Sequence, residues 1–325
     1  MKTKVLLTGA TGFVGRHFLQ EIVRAGYPVR CLVRSEMHSF IDGVEYYQGD
    51  LLCFEDCKEA LEGIEIVYHI AGLGLSRMQE NSIFNVESTR TLFKACEAEG
   101  RLIKFIFLSS FKAGLPDRRY TLSPWFEAYS PDRYGKSKWE SEQIFKESSH
   151  PNVKVAVIRS PMIYGPGDKN LIAFFWLAQK GVMPVITGVM PVSDMVYVTD
   201  LAQLLIELLG TPFVEETEII TIANPNPITI NDLLTDIADV SESVKWRPHI
   251  PKKVFFYILM FISKSLNLIS RTSILPVERV YDLCHYSWTC TAKDAEVNRS
   301  IECKTSLYKG IYYTYQHYIN LKNNN

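Results

Sequence analysis

Three glycines near the N-terminus constrain the fold of this chain more than any other feature. Gly9, Gly12 and Gly15 follow the apolar run Val5–Leu7 and lead into a helical pattern over Gly12–Ala25. At such a junction the first glycine allows a tight turn, the second lets the backbone approach a pyrophosphate, and the third lets helix and strand pack closely. The helix N-terminus then offers free N–H groups and a positive dipole to the phosphates. The sequence therefore predicts a dinucleotide site.

Short β-branched runs alternate with helical patterns in the first half of the chain. This alternation is typical of an α/β fold with a doubly wound, Rossmann-type parallel sheet. Strands are predicted at Val5–Thr8, Val29–Val33, Glu45–Gln48, Ile66–Ile70, Phe105–Ser109 and Val153–Arg159. Helices are predicted at Gly12–Ala25, Phe54–Glu62, Ser82–Glu99 and Arg133–Glu147.

After Pro161 the alternation gives way to shorter elements punctuated by prolines. Ligands of open parallel sheets bind beyond the carboxyl ends of the strands, so this part is expected to cover the substrate. We predict an NAD(P)-binding Rossmann domain over residues 1–165. Residues 166–325 are predicted to form mostly a smaller substrate-binding cap.

Composition excludes some classes of function. The formal net charge of the 325 residues is -1, whereas a nucleic-acid-binding protein would show a basic stripe. The seven cysteines lack the paired spacing of a zinc site, so no metal centre is predicted. We expect reduced thiols and a cytoplasmic protein, because a strand and the glycine turn begin where a signal peptide would have to lie.

Several motifs occur in an order that resembles one family. The chain has the spacing G-x-x-G-x-x-G at its first loop and a Tyr-x-x-x-Lys pair later on. The motifs lie at Thr8–Gly15, Ile70–Gly72, Asn85–Thr89, Phe107–Ser110, Tyr134–Lys138, Arg159–Pro166 and Val198–Ala202. Up to about Ala202 the chain resembles the extended short-chain dehydrogenase/reductase superfamily, with its NAD-dependent epimerases and dehydratases and its dihydroflavonol reductase and 3β-hydroxysteroid dehydrogenase branch.

The resemblance implies that the cap is interleaved with the Rossmann domain, so that some segments of residues 166–325 return to that domain. It also implies a set of cofactor-binding residues. The glycine loop with its neighbours would hold the pyrophosphate, one pair would contact the adenine, and a later segment would line the nicotinamide. These residues are Gly9, Thr11, Gly12, Phe13, Val14, Gly15, Asp50, Leu51, Ala71, Gly72, Tyr134, Lys138, Pro161, Met162 and Ile163. Asn85 would anchor its helix, or do no more than cap it.

The end of the second strand favours NADP over NAD. An acidic residue there would accept hydrogen bonds from the ribose hydroxyls, but Arg34 stands at the expected place. A guanidinium can pair with the 2′-phosphate of NADP. Glu36 is close enough in sequence to reach a ribose, so NAD stays open.

The predicted catalytic residues are Ser110, Tyr134 and Lys138. Tyr134 and Lys138 are four residues apart and therefore share one helix face. An ammonium beside the phenol is expected to lower its pKa from about 10, so that the hydroxyl exchanges a proton with a carbonyl oxygen. Ser110 would hold that oxygen, with Ser109 as the rival. A second such pair, Tyr318–Lys322, is assigned no role.

These residues predict hydride exchange between the nicotinamide and a carbon that bears oxygen, on one of two substrate classes. A nucleotide sugar needs arginines for its diphosphate, and Met190–Val196 contains none. Ile172–Leu177 and Val182–Ile186 are apolar, which favours an apolar, steroid- or flavonoid-like alcohol or ketone. Four later arginines, Arg247, Arg271, Arg279 and Arg299, keep a nucleotide-sugar epimerase open. A non-catalytic, cofactor-sensing protein is a third alternative.

One further segment, residues 252–264, has two lysines followed by nine apolar residues and a third lysine. It is shorter than the roughly 20 residues of a membrane span. A packed helix, a weak contact with a membrane surface and a lid over the substrate are its three interpretations. The family resemblance also suggests a homodimer formed by the helices Ser82–Glu99 and Arg133–Glu147.

Overall fold

A computed structural model describes residues 3–35, 41–77, 83–113, 132–147, 149–213, 215–223, 226–269, 275–289 and 299–323. The strands are β1 (Val5–Thr8), β2 (Val29–Val33), β3 (Val44–Gln48), β4 (Ile66–His69), β5 (Ile103–Ser110), β6 (Val153–Ser160), β7 (Met162–Tyr164), β8 (Val185–Thr187), β9 (Val192–Ser193), β10 (Met195–Tyr197), β11 (Thr217–Ala223), β12 (Ile228–Thr229), β13 (His249–Pro251) and β14 (Arg299–Glu302). The helices are α1 (Phe13–Arg24), α2 (Phe54–Ala60), α3 (Phe84–Ala98), α4 (Arg133–Ile144), α5 (Ile172–Gln179), α6 (Val198–Gly210), α7 (Ile230–Ser241), α8 (Lys252–Ile269), α9 (Val277–His285) and α10 (Leu307–Asn323).

Within the described ranges, eight strands form one parallel sheet in the order β14-β11-β6-β5-β4-β1-β2-β3. The chain runs outward from β1 to β3 and then crosses to β4 on the other side of β1. This reversal opens a crevice at the carboxyl ends of β1 and β4, which is the usual ligand position in such sheets.

Helices cover both faces of the sheet. α1 and α6 pack on one face, and α2, α3 and α4 pack on the other. Strands buried on both faces need apolar residues at successive positions, which explains the continuous apolar run of β1 and of much of β2 and β4. The predicted Rossmann-type fold is confirmed.

The predicted elements are present, with differences at their ends. β5 begins at Ile103, two residues before the predicted start, because its backbone continues to pair with β6 there. α1 ends at Arg24, and Gly26 follows in the left-handed conformation at φ 75°, which ends the helix. Ser82, the predicted start of α3, lies outside the described residues, and α3 is described from Phe84.

A separate apolar core holds the C-terminal elements together. It contains buried residues of α5, α7 and α10, among them Phe175, Leu234 and Ile311. Residues beyond 165 also extend the large sheet, because β11 pairs with β6 and β14 pairs with β11. The division at residue 165 stays a prediction.

Candidate active site

A cavity of about 700 Å³ lies between the carboxyl ends of the sheet strands and the C-terminal elements. The sequence-predicted site residues all line it, although they come from segments far apart in the chain. They are Gly9, Thr11, Gly12, Phe13, Val14, Gly15, Arg34, Asp50, Leu51, Ala71, Gly72, Ser110, Tyr134, Lys138, Pro161, Met162 and Ile163. The fold therefore brings the predicted residues together, and their individual roles stay predictions.

The glycine loop has the shape that a dinucleotide pyrophosphate needs. Gly9 has φ 79°, and a Cβ atom on Gly15 would lie 2.0 Å from the Gly9 carbonyl oxygen, so no larger residue fits there. Gly12 precedes α1, whose first turn has neither a side-chain cap nor an acidic residue. The helix N-terminus thus keeps its N–H groups and its positive dipole for an anion. These residues fit a dinucleotide cofactor.

Two residues predicted to contact the adenosine part of the cofactor line the cavity after β2 and after β3. Arg34 directly follows β2 and is exposed at the cavity edge. The Asp50 carboxylate accepts a hydrogen bond of 2.9 Å from the Leu52 amide, which fixes the turn after β3. Glu36, the alternative ribose contact, lies outside the described residues.

Asn85 connects the loop after β4 to the helix that carries Tyr134. Its side-chain oxygen accepts a hydrogen bond of 2.7 Å from the Leu73 amide, and its Nδ2 donates one of 3.0 Å to Ser137 Oγ. Because Asn85 lies in α3 and is buried, it holds loop, α3 and α4 in one arrangement. These hydrogen bonds correspond to the first of the two predicted roles of Asn85, in which it anchors its helix.

Ser110, Tyr134 and Lys138 meet where β5 ends and α4 begins. A side-chain hydrogen bond joins Ser110 and Tyr134. Lys138 Nζ donates a hydrogen bond of 2.7 Å to the Leu108 carbonyl oxygen and lies 4.7 Å from the centre of the Phe107 ring. The phenol, the hydroxyl and the ammonium thus line one wall of the cavity.

The expected lowering of the tyrosine pKa is wrong for this structure. Burial raises the pKa of Tyr134 to about 12, and the hydrogen bond with Ser110 only partly opposes that rise. The Lys138 ammonium is directed at the Leu108 carbonyl, and its own pKa is lowered to about 8 by burial. Desolvation of the phenol therefore outweighs the hydrogen bond with Ser110 and the Arg279 charge, which both lower the pKa. The phenol is protonated, which is the form that donates to a carbonyl oxygen.

The geometry also separates Ser110 from its rival Ser109. Side chains of successive strand residues point to opposite faces of a sheet. Ser109 is buried, and its hydroxyl donates a hydrogen bond of 2.5 Å to Glu142, which also pairs with Arg159 at 2.5 Å. Both serines border the cavity, but Ser110 is the one hydrogen-bonded to Tyr134.

Sequence reasoning missed a charged cluster beside Tyr134. The Lys112 ammonium contacts the carboxylates of Asp132 and Asp282, the latter at 2.5 Å. Trp288 Nε1 donates a hydrogen bond of 3.2 Å to Asp282, and Lys112 lies 5.3 Å from the centre of a Trp288 ring. No sequence signal links these residues, because Lys112 and Asp282 are 170 positions apart along the chain.

The four arginines left open for a diphosphate differ in position. Arg279, on α9, lines the cavity, and its Nη1 lies 3.9 Å from Met162 Sδ. Arg247 instead donates a hydrogen bond to Thr235 at an exposed position. Arg271 lies outside the described residues, as does the side chain of Arg299.

Neither a metal cluster nor a membrane-spanning helix occurs in the described ranges. No group of three or more His, Cys, Asp or Glu side chains there is placed to hold a metal ion. None of the helices in those ranges is long and apolar enough to cross a bilayer. Six cysteines in the same ranges are free thiols.

Residues 5–223 match the sequence model of the NAD dependent epimerase/dehydratase family. Among curated relatives, ceramide reductase of Caulobacter vibrioides is 27% identical over 319 residues, which cover 97% of this chain and 94% of that protein. UDP-glucose 4-epimerase of Vibrio cholerae is 24% identical over 270 residues, 77% of this chain and 80% of that protein. Sterol-4-alpha-carboxylate 3-dehydrogenase (decarboxylating) of Dictyostelium discoideum is 30% identical over 190 residues, 54% of this chain and 58% of that protein.

Solved structures share the fold over nearly the whole chain. MoeE5, determined with UDP-glucuronic acid and NAD, superimposes with a TM-score of 0.72 at 18% identity and covers 98% of this chain and 99% of that chain. UDP-glucose 4-epimerase of Thermotoga maritima, determined with UDP-glucose, also gives a TM-score of 0.72 at 18% identity, with 98% and 100% covered. At this identity the likeness concerns the fold.

Proposed function

The chain belongs to the NAD-dependent epimerase/dehydratase family and is an NAD(P)-dependent enzyme of the extended short-chain dehydrogenase/reductase type, and we propose that it reduces or oxidises an apolar, lipid-like ketone or alcohol. The observation that carries this proposal is the apolar wall of the cavity that Tyr134 also lines. Its apolar side chains include Phe111, Met162, Ile228, Leu233, Leu283 and Trp288. Such a wall favours hydrocarbon over a polyhydroxylated sugar.

The charges near Tyr134 support the same substrate class. Lys112 is held by two carboxylates, so it is not free to neutralise a diphosphate. Burial raises the pKa of Asp282, and the charges of Lys112 and Arg279 oppose that rise, which places Arg279 within the field of the same carboxylate. A diphosphate would compete with Asp282 for both cations.

Two curated relatives agree with a lipid substrate. One is named as a ceramide reductase and matches nearly the whole chain, and another is named as a sterol dehydrogenase. Ceramides and sterols are both lipids. We therefore propose that the apolar substrate is a lipid.

The proposed reaction assigns one task to each side chain. Tyr134 donates its phenolic proton to the substrate carbonyl oxygen, whose charge develops during reduction, and Ser110 donates a hydrogen bond to the same oxygen. Lys138, which lies one turn after Tyr134 on α4, would hold the nicotinamide ribose. When bound, the cofactor supplies the hydride to the carbonyl carbon, so that ketone, hydride and proton give the alcohol. Oxidation is the reverse.

We propose NADP as the preferred form of the cofactor. Arg34 lies at the cavity edge after β2, and the described residues at that strand end, Val33 to Ser35, include no acid that would repel a 2′-phosphate.

A titration of NADPH and NADH into the purified protein tests the cofactor preference. We expect Arg34→Ala to weaken NADPH binding about tenfold or more and to leave NADH binding unchanged. Arg24→Ala, at an exposed arginine outside the cavity, is the matched control. Tighter binding of NADH by the wild type would overturn the preference for NADP.

A nucleotide-sugar epimerase is the second candidate. Arg77 and Arg279 line the cavity, and the Vibrio cholerae relative is named as a UDP-glucose 4-epimerase. The same three catalytic side chains would serve both reactions. The two differ in that an epimerase returns the hydride to its substrate, whereas a reductase consumes the cofactor.

Three further features belong to this proposal. The protein works as a homodimer through α3 and α4, which pack beside each other on one face of the sheet. It resides in the cytoplasm, in keeping with the free thiols of the described ranges. Segment 252–264 contacts a membrane surface, where an apolar substrate would be found. The homodimer proposed to form through α3 and α4 is tested by light scattering after size exclusion, and a monomeric mass would contradict it.

A further inference from the structure

We propose that the exposed face of α8 docks the protein on an anionic lipid bilayer beside the cavity. The docking face consists of Val254, Tyr257, Ile258, Phe261 and Ile262, spaced three and four residues apart on one side of the helix. Their exposed fractions lie between 41% for Ile262 and 74% for Phe261. The functional reason for docking rests on the proposed apolar substrate. The geometry of the docking face does not depend on that proposal.

The opposite side of α8 is occupied by the protein itself. Phe255 and Ser263 are buried, and the Phe256 ring packs against Tyr281 and His285 of α9 with ring centres 5.4 Å and 4.9 Å apart. The helix is therefore anchored by one side, and its apolar outer side is not needed for that packing. A large apolar face on a protein surface is typical of an interaction site.

Charge identifies an anionic bilayer as the occupant. Residues 243–277 contain six lysines and arginines and no aspartate or glutamate, although the whole chain has a net charge of -1. Lys253 and Lys264 are exposed, one just before the docking face along the helix and one just after it. Lysines that flank an apolar helix face place their ammonium groups among anionic headgroups while the apolar side chains enter the acyl boundary.

The same charges disfavour a second copy of this chain. In a two-fold symmetric contact each face meets its own equivalent, so the lysines of one copy would approach those of the other. No acidic side chain in residues 243–277 is available to offset that repulsion. The bilayer satisfies both the apolar side chains and the lysines, whereas a second copy satisfies only the former.

The position of α8 relates docking to the cavity. α9 lies against α8 through Phe256, and α9 contributes Arg279, Asp282 and Leu283 to the cavity lining. Docking would thus place the substrate cavity one helix away from the lipid. An apolar substrate could then reach the cavity from the bilayer with little exposure to water.

Co-sedimentation with vesicles tests the docking face. Vesicles of phosphatidylcholine alone and vesicles that also contain phosphatidylglycerol are incubated with wild type, with Tyr257→Ser/Phe261→Ser and with Lys253→Gln/Lys264→Gln. We expect wild type to prefer the phosphatidylglycerol vesicles. The affinity of both double variants for these vesicles should be lower by about tenfold or more. The matched control is Tyr312→Ser/Tyr313→Ser, which removes two exposed aromatic residues of α10 and should bind as wild type does.

The results separate docking from the proposed reaction. The inference is overturned if wild type does not sediment with either vesicle, if the α8 variants sediment as wild type does, or if Tyr257→Ser/Phe261→Ser instead dissociates a dimer in light scattering. NADPH oxidation with a detergent-dispersed long-chain ketone is measured in parallel and should be unchanged in the variants. Vesicle binding without any ketone reduction contradicts the proposed reaction and leaves docking intact, whereas ketone reduction without vesicle binding does the opposite.

Discussion

The Tyr134 hydroxyl is the atom on which the proposed chemistry depends most directly. Its pKa, raised to about 12 by burial, keeps it protonated at neutral pH, and Ser110 is hydrogen-bonded to it. A protonated phenol is the proton donor that the reduction of a carbonyl requires.

Replacing Tyr134 by Phe removes the proton donor and preserves most of the packing. We expect kcat to fall about a thousandfold or more, while the dissociation constant of NADPH stays within about twofold of wild type. Tyr318→Phe is the control, because Tyr318 also precedes a lysine by four positions but packs against Phe175 in the C-terminal core. An unchanged kcat of Tyr134→Phe would contradict the role assigned to Tyr134, whereas NADPH binding with no turnover in wild type would favour the non-catalytic alternative.

The lowered pKa of Lys138 predicts how the rate of the reaction depends on pH. Burial lowers its pKa to about 8, and the Glu142 carboxylate opposes that shift. Its ammonium form therefore dominates below about pH 8 and is lost above it, so kcat/KM for reduction should decline as the pH rises through that value. A pH profile of wild type and Lys138→Arg measures this. Since arginine stays charged, an unshifted decline in the variant would assign it to another group.

At the scale of elements, His69 links β4 to β1 and to α3. Its Nδ1 accepts a hydrogen bond from the Thr8 hydroxyl on β1 at 2.8 Å, and its Nε2 lies 3.1 Å from the Thr89 hydroxyl on α3. Because the Thr89 hydroxyl donates to the Asn85 carbonyl, it accepts from Nε2–H, which fixes the neutral tautomer. A protonated ring would lose the bond from Thr8.

This arrangement predicts a loss of stability in acid. Burial first, and the Lys138 charge second, lower the pKa of His69 to about 3. In the unfolded chain the imidazole of residue 69 is protonated below about pH 6.5, whereas in the folded protein it stays neutral there. The free energy of unfolding therefore decreases as the pH falls below that value. Between about pH 7.5 and about pH 5.5, wild type should lose about 1.4 kcal/mol more than His69→Gln. Urea unfolding measures both, with exposed His249→Gln as control. Equal losses in wild type and His69→Gln would contradict the prediction.

The elements show how far the sequence predicts the structure. The glycine loop, the strands of the first half and α4 were predictable because local spacing determines them. The tight turn requires the positive φ that Gly9 adopts, and the spacing of Tyr134 and Lys138 is that of one helix face. The Lys112–Asp282 pair and the packing of α8 on α9 were not, because each joins segments that the sequence pattern leaves unrelated. The tyrosine pKa was missed for a different reason, since spacing shows the neighbouring lysine but does not show the burial of the phenol.

At the scale of the whole molecule, the cavity joins two regions with different tasks. The large sheet contributes the cofactor loop and the candidate catalytic side chains, and the C-terminal elements contribute the apolar wall and Arg279. The ion pair of Lys112 and Asp282 connects these regions. The reaction class therefore follows from the sheet and its helices, and the substrate class follows from the C-terminal elements.

The most direct test of this account is the fate of the hydride when the enzyme meets each class of substrate. NADPH fluorescence and product analysis are followed together, with a detergent-dispersed long-chain or sterol ketone in one reaction and with UDP-glucose and NAD in the other. We expect each ketone reduced to consume one NADPH and UDP-glucose to remain unchanged. Epimerisation of UDP-glucose without net change in cofactor, together with no reduction of the ketones, would contradict it.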